Sequence, residues 1–343
     1  MRLIKLILAI FLLLLLTSAG IIFSKFKGPV KDSPQERFVV KPSDTEEAVI
    51  NRLIESGFLR NREIFEISLF IRCWKQKGCP VVGQRINPGG YLISKSDDAY
   101  QIAKALLQEP YQKWVTIPPG KRKEQTALIL GRALGWDEKE IFSFIDSAKE
   151  GYLFPDTYLI DSEAIPYQVT QRLEANFNNK FDDQVYQQLL AANVRNDTAV
   201  KIASLIERES GGDYDKPIIA GIILNRLEKG MRLEIDATVQ YAVASRDCQF
   251  SEADPKGKIP ITECHFWPAV TGNQLRTTPS SYNTYLNQGL PTGPICSPSL
   301  ASIEAVANPA DTEALFYLHS ADKKIHIAKT YQEHQENIEK FLR

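Results

Sequence analysis

The sequence predicts an α+β chain: an N-terminal membrane helix, a small α/β lobe, and a larger, mainly helical domain with short strands. Three observations predict it. Leu6 to Phe23 carries no charged residue over eighteen positions. Between residues 36 and 120, short β-branched and aromatic runs alternate with helical stripes. From residue 121 to 343, helical periodicity dominates. The length of 343 residues leaves room for two domains, and 43% hydrophobic with 24% charged residues indicates a globular bulk. That composition excludes collagen, disorder and a polytopic membrane protein. With 41 Lys+Arg against 42 Asp+Glu, nothing points to nucleic acid as a partner. A neutral or weakly charged polymer suits the balance better.

The expected organisation is a tail and membrane anchor at 1–27, a linker at 28–35, a lobe at 36–120 and a catalytic-sized domain at 121–343. Eighteen helical residues span about 27 Å, close to the hydrocarbon thickness of a bilayer. Arg2 and Lys5 precede the run and Lys25 and Lys27 follow it, so flanking charge does not set orientation. The small residues Thr17-Ser18-Ala19-Gly20 also fit a cleaved signal peptide, but Ile21-Ile22-Phe23 extends the apolar run and favours an uncleaved anchor. No Cys sits just after the run, which argues against a lipoprotein.

In the lobe, Phe38-Val39-Val40 reads as a strand. Ser43 and Glu46 form a capping-box pattern ahead of Val49, Ile50, Leu53 and Ile54, and Gly57 ends that helix. A second helix covers Arg62 to Lys75, Gly90 to Ile93 is a strand, and Asp97 caps a helix bearing Ile102, Leu106 and Leu107. Trp114 to Ile117 is a further strand, closed by Pro118-Pro119-Gly120. Beyond it, Glu124 to Leu134, Glu138 to Ala148, Pro166 to Phe177 and Asp182 to Ala192 read as helices, and Gly151 to Tyr158 as an aromatic turn.

The cysteines are Cys73, Cys79, Cys248, Cys264 and Cys296. In an exported chain Cys73 with Cys79 and Cys248 with Cys264 are candidate disulfides, which leaves one thiol over. The second pair lies in a stretch without periodicity, where a bridge would stabilise by roughly 3 kcal/mol. A zinc site is disfavoured, because Cys264-His265 has no CxxC or HxxxH pair to join it.

The chemistry concentrates in a helix that Asp197 is expected to N-cap. Ile202, Leu205, Ile206 and Glu209 fall at i, i+3, i+4 and i+7, which puts Glu209 on the apolar face. Glu207 lies about 200° round, on the polar side, and reads as ordinary surface. A carboxyl group against apolar side chains has its pKa raised and can protonate a leaving glycosidic oxygen. The competing structural reading pairs Glu209 with Arg226 or Arg276. Asn225 shares the face of Ile218 and Ile222 on the next helix, which starts at Pro217. Met231 to Ile235 reads as a short strand running into a helix capped by Asp236. The loops around Tyr282-Asn283-Thr284-Tyr285 and Gly289-Leu290-Pro291 carry rings and amides that suit sugars, although plain connectors have the same composition.

Several ordered motifs together resemble the endolytic murein transglycosylases of the MltG/YceG type. Ala203-Ser204-Leu205-Ile206-Glu207-Arg208-Glu209-Ser210 is similar to that family's A-S-x-x-E-x-E-[TS] helix. Asn225-Arg226-Leu227 with Asp236-Ala237-Thr238, then Tyr282 to Tyr285, Ile295-Cys296-Ser297-Pro298, Ala305 to Ala310 and Thr330 to His334 resemble later blocks. Gly151-Tyr152-Leu153-Phe154-Pro155-Asp156-Thr157-Tyr158 is similar to the family's E-G-x-x-x-P-D-T-Y. The likeness spans about residues 36 to 343. Three departures stand out: the long connector Asp247 to Thr278, the turn Thr116 to Gly120, and Ala237 where the family more often has Pro.

The resemblance implies a LysM-like lobe, a lysozyme-related catalytic domain, and one membrane helix holding that domain outside the inner membrane. It implies cleavage of the MurNAc-β-1,4-GlcNAc bond of nascent glycan strands to give 1,6-anhydro ends, with Glu209 as catalytic residue. Asn225, Asp236, Tyr282, Asn283 and Tyr285 are the candidate substrate-binding residues, Asp236 alternatively being a helix cap. Peptidoglycan strands are the expected partner, peptidoglycan synthases are candidates, and neither metal nor cofactor is called for. Two other readings stay open: a non-catalytic, membrane-anchored peptidoglycan-binding scaffold, and a hydrolytic muramidase.

Overall fold

A computed structural model describes residue 17 and residues 24–75, 85–254 and 257–343. The expected membrane run 6–23 and Cys79 lie outside the described residues, apart from Thr17. Among the described residues no helix is long and apolar enough to cross a membrane. The chain is α+β and divides into two compact units. One holds the described residues up to Trp114 together with Tyr158–Glu163; the other holds Val115–Thr157 and Ala164–Arg343.

The first unit is built on a sheet of order β1-β2-β3-β4, from Gln35–Val40, Gly89–Ser94, Gln112–Thr116 and Thr157–Asp161. β1 and β2 run antiparallel, from Gln35 opposite Ser94 to Val40 opposite Gly89. Helices α1 (Glu46–Glu55), α2 (Arg62–Lys75) and α3 (Ala99–Leu106) supply Val49, Leu53, Phe65, Leu69 and Ile102, all fully buried with Val40 and Ile93. Two caps shift from expectation. Thr45, not Ser43, caps α1 by accepting from Ala48 N at 3.2 Å. Asp98, not Asp97, caps α3 in a capping box with Gln101, while Asp97 accepts from Ser94 N at 2.7 Å. β4 was missed because Thr157–Asp161 is short and follows a turn-like sequence. Cys73 is disulfide-bonded.

The second unit carries α4 (Lys123–Leu134), α5 (Glu138–Ser147), α6 (Pro166–Lys180), α7 (Asp183–Ala191), α8 (Asn196–Glu209), α9 (Lys216–Glu228) and α10 (Asp236–Asp247). After them come α11 (Gly272–Thr277), α12 (Leu300–Ala307), the antiparallel hairpin β5 (Phe316–His319) and β6 (Ile325–Ala328), and α13 (Tyr331–Phe341). α8 is the hub, packed by α7, α9, α10 and α12, with Ile202, Leu205 and Ile206 essentially inaccessible. Its first residue is Asn196. Asp197 lies within the first turn, ion-paired with Arg195 at 3.1 Å, and is not the N-cap. Residues 231–235 form no strand, and Glu234 among them has a φ of 54°, outside the extended region, so the short strand expected there is absent. Asp236 is the first residue of α10, not its cap, which is Ile235.

The long connector is tied to α10 by a Cys248–Cys264 disulfide with Cα atoms 5.7 Å apart, as its lack of periodicity suggested. Cys296 is free and buried. Beneath the connector lies Arg122, fully buried. Its Nε donates to Glu124 at 2.9 Å, its Nη2 to Ser245 Oγ at 2.9 Å, and its guanidinium lies 3.9 Å from the Tyr241 ring centroid. Glu150, close to this group, is the surplus acid. Burial, then the Glu124 charge, pushes its carboxyl up to about 8.

Candidate active site

Glu209 is the last residue of α8, and Ser210 leaves the helix in an extended conformation. The helix therefore delivers a half-buried carboxyl to its own C-terminal end. The following loop is pinned by Asp215, which has no exposure. Asp215 accepts from Gly211 N at 2.9 Å and Gly212 N at 3.4 Å, and contacts His319 Nε2 at 2.7 Å. A Cβ on Gly211 would sit 3.2–3.3 Å from Lys323 O, Asp215 and His319, so glycine allows the close approach.

His319 and Tyr317 alternate on β5 and thus project from one face of the strand. The Tyr317 hydroxyl donates to Glu209 Oε2 at 2.8 Å. Burial, then the Glu209 charge, drives the Tyr317 pKa far up, so the hydroxyl stays a donor. The Glu209 pKa is raised. Burial is the main cause, the Asp236 charge adds to it, and the Tyr317 hydrogen bond with the His319 and Arg208 charges opposes it. No ion pair reaches Glu209 among the described residues. Arg226 donates instead to Leu315 O at 2.6 Å and Leu233 O at 2.7 Å.

A cavity of about 300 Å³ opens on Glu209, with Asp236, Tyr285, Tyr317, Arg226 and His334 among its walls. Asp236 Oδ1 accepts from the Tyr285 hydroxyl at 2.5 Å. Of the residues expected from sequence, the structure brings Glu209, Asp236 and Tyr285 to this cavity. The other three lie elsewhere. Asn225 donates to Thr312 O at 2.6 Å and Ala314 O at 3.1 Å, fastening α9 to the segment before β5. Asn283 is fully buried, donates to Leu275 O and Thr278 O, and accepts from Tyr285 N at 2.9 Å, so it braces the loop that carries Tyr285. Tyr282 packs on Tyr241 with ring centroids 4.7 Å apart.

Glu207 corrects the expectation of an ordinary surface residue. Its side chain is 10% exposed and lies 3.4 Å from Lys216 Nζ. It accepts from Ser299 N at 3.0 Å, Ser299 Oγ at 2.6 Å and Ser302 Oγ at 2.6 Å. Burial works to raise its pKa, but the serine hydrogen bonds and Lys216 outweigh that and hold it below the usual carboxylate range. The helical angle was right, but α12 and the first turn of α9 cover that side of α8 too. The two glutamates thus separate into one ionised structural anchor and one carboxyl that favours its proton. Tyr317, His319 and Asp215 were missed. The alternation in Phe316-Tyr317-Leu318-His319 ahead of a polar turn was the available signal.

Residues 38–340 match the YceG-like family. The endolytic murein transglycosylase of Streptococcus pneumoniae serotype 2 (strain D39 / NCTC 7466) is 28% identical over 295 residues, covering 74% of this chain and 50% of that protein. The chain thus spans about half the length of that relative. The endolytic murein transglycosylase of Bacillus subtilis (strain 168) is 25% identical over 282 residues, covering 74% of this chain and 72% of that protein. A crystal structure of a yceG-like protein from Listeria monocytogenes superposes with a TM-score of 0.56 at 22% identity, covering 88% of this chain and 98% of that one, which establishes a shared fold. With the matched region covering nearly the whole chain beyond the N-terminal apolar run, the protein belongs to the YceG-like family.

Proposed function

We propose that this protein is a membrane-anchored endolytic lytic transglycosylase acting on peptidoglycan glycan strands. The observation that carries this reading is Glu209: a half-buried carboxyl with raised pKa, oriented by Tyr317, on the wall of a cavity. Two family members named endolytic murein transglycosylase support it. Protonated Glu209 donates to the glycosidic oxygen between N-acetylmuramic acid and N-acetylglucosamine. The resulting carboxylate then accepts the proton of the muramoyl C6 hydroxyl, which closes on C1 and leaves a 1,6-anhydro end. One group serves twice because the nucleophile belongs to the substrate. Tyr317 holds Oε2 throughout. The Asp236–Tyr285 pair places negative charge beside the cavity, where it favours positive charge developing at C1.

A hydrolytic muramidase is the second reading, favoured by Asp236 as another carboxylate on the same cavity. Mass spectrometry of products released from purified sacculi separates the two. Anhydro ends, lighter by one water, are expected; reducing ends only would replace the transglycosylase reading with the hydrolytic one.

We further propose that residues 6–23 hold the protein in the inner membrane as an uncleaved single-pass anchor, with the catalytic unit on the outer side, and that the N-terminal lobe is LysM-like. The uncharged run supports this. Edman sequencing of the mature protein tests it: the initial residues of the chain are expected, and a new N-terminus near Gly20 or Ile21 would show cleavage.

A further inference from the structure

The reaction leaves unused a groove at the opposite end of α8. Two adjoining cavities of about 590 and 420 Å³ share Tyr152, Tyr186 and Asn196. Tyr186 on α7 is 40% exposed, and Leu190, one turn on, 52%. Tyr152 is half-buried, its ring centroid 5.0 Å from that of Phe177. The rim carries the side-chain amides of Asn178, Asn193 and Asn196, none of which hydrogen-bonds to another described residue. Rings with adjacent unengaged amides match a sugar, which offers an apolar C–H face and a fringe of hydroxyl and acetamido groups.

Charge narrows the ligand class. Asp182, Asp183 and Asp197 line the groove; against them stand Arg195, itself paired with Asp197 at 3.1 Å, and Lys149, whose Nζ lies 3.8 Å from the Tyr152 ring centroid and leaves Tyr186 as the open ring. The surplus is negative, which disfavours phosphates and nucleic acid; Asp182 accepts from Val185 N at 3.1 Å and Asp197 from Arg195, which leaves the Asp183 carboxylate to accept from hydroxyls. The groove is also separate from the reacting centre. Asn196 and Glu209 are thirteen residues apart, about 20 Å along the helix. Val200, which borders the groove, is nine positions before Glu209, so the two project from opposite sides of α8 at about 100° per residue.

We propose that this groove is a second, non-catalytic binding site for the N-acetylated glycan of peptidoglycan, holding a strand segment other than the one being cleaved. It rests on the reading of peptidoglycan as substrate. The test uses the full chain in detergent with Glu209→Gln to prevent turnover, cosedimented with purified sacculi and, separately, with glycan strands stripped of peptide by an amidase. Tyr186→Ala is expected to weaken binding to both about fivefold, the scale of losing one ring contact. Tyr186→Phe should retain binding, and Asn178→Ala should weaken it. With Glu209 intact, Tyr186→Ala should cleave a short soluble glycan at the wild-type rate. Unchanged affinity in both folded alanine variants, or loss of binding once the peptides are removed, would overturn the proposal. Tyr186-dependent glycan binding by a wild-type protein that released no anhydro ends would uphold the groove and refute the activity.

Discussion

Glu207 and Glu209 stand two residues apart on one helix, and their surroundings give them opposite proton affinities. Glu207 has four donors, two of them serine hydroxyls at 2.6 Å, and stays ionised. Glu209 has one phenol and a neighbouring carboxylate, and holds its proton more tightly. Tyr317→Phe deletes the contact that lowers the Glu209 pKa. The basic limb of the pH–rate profile, where the general acid loses its proton, is therefore expected to move to higher pH; a limb that stays put would show that Tyr317 does not tune the acid. Glu207→Gln leaves Lys216, 5% exposed, with the exposed Asp213 as its one charged partner among the described residues. A loss of about 1–3 kcal/mol in urea unfolding is expected, with reduced activity because the end of α8 is less firmly held. A variant as stable as wild type would return Glu207 to the surface role its helical angle suggested.

Among the elements, α8 was readable in nearly full detail. Its apolar spacing of Ile202, Leu205 and Ile206 fixed both the buried face and the placement of Glu209. α2 was readable to the residue, Arg62–Lys75. The caps were not, because Asp97 and Asp98, or Ser43 and Thr45, are equivalent locally and the choice depends on which backbone N–H each meets. β5 was missed, and with it Tyr317 and His319. Four residues leave little periodicity, and the contacts that define them come from α8, more than a hundred positions earlier. Asn225 and Asn283 show the converse error. A polar side chain on an apolar face, at Asn225, and an amide in a ring-bearing loop, at Asn283, suggested ligand groups, yet both amides donate to backbone carbonyls.

For the whole molecule, stability should depend on pH through the buried group around Arg122. Arg122 pairs directly with Glu124, so Glu150 carries a proton in the folded protein to about pH 8, whereas in the unfolded chain it ionises near its ordinary value. A folded pKa raised above the unfolded one means the contribution is complete below the unfolded pKa. It is lost as pH rises towards 8, and no more is lost above that. Thermal melts should therefore show stability falling between about pH 5 and pH 8 by a few kcal/mol from this group. Glu150→Gln should flatten that slope; an unchanged slope would place the titration elsewhere. The family fold was available from motif order, and the placement of Glu209, the proposed acid, on the inward face of α8 from helical period. The pairing partners of that acid were not, because they depend on how a distant hairpin meets α8.

The claim on which the rest depends is that one carboxyl group, Glu209, performs both proton transfers. Release of anhydromuropeptides from purified sacculi by Glu209→Gln, followed by mass spectrometry with circular dichroism and thermal melts as fold controls, tests it most directly. The swap keeps size and a hydrogen-bond acceptor for Tyr317 but removes the transferable proton. A folded variant whose rate falls by at least about 10²–10⁴-fold is the expected result. A folded variant that still forms anhydro ends at near wild-type rate would contradict it.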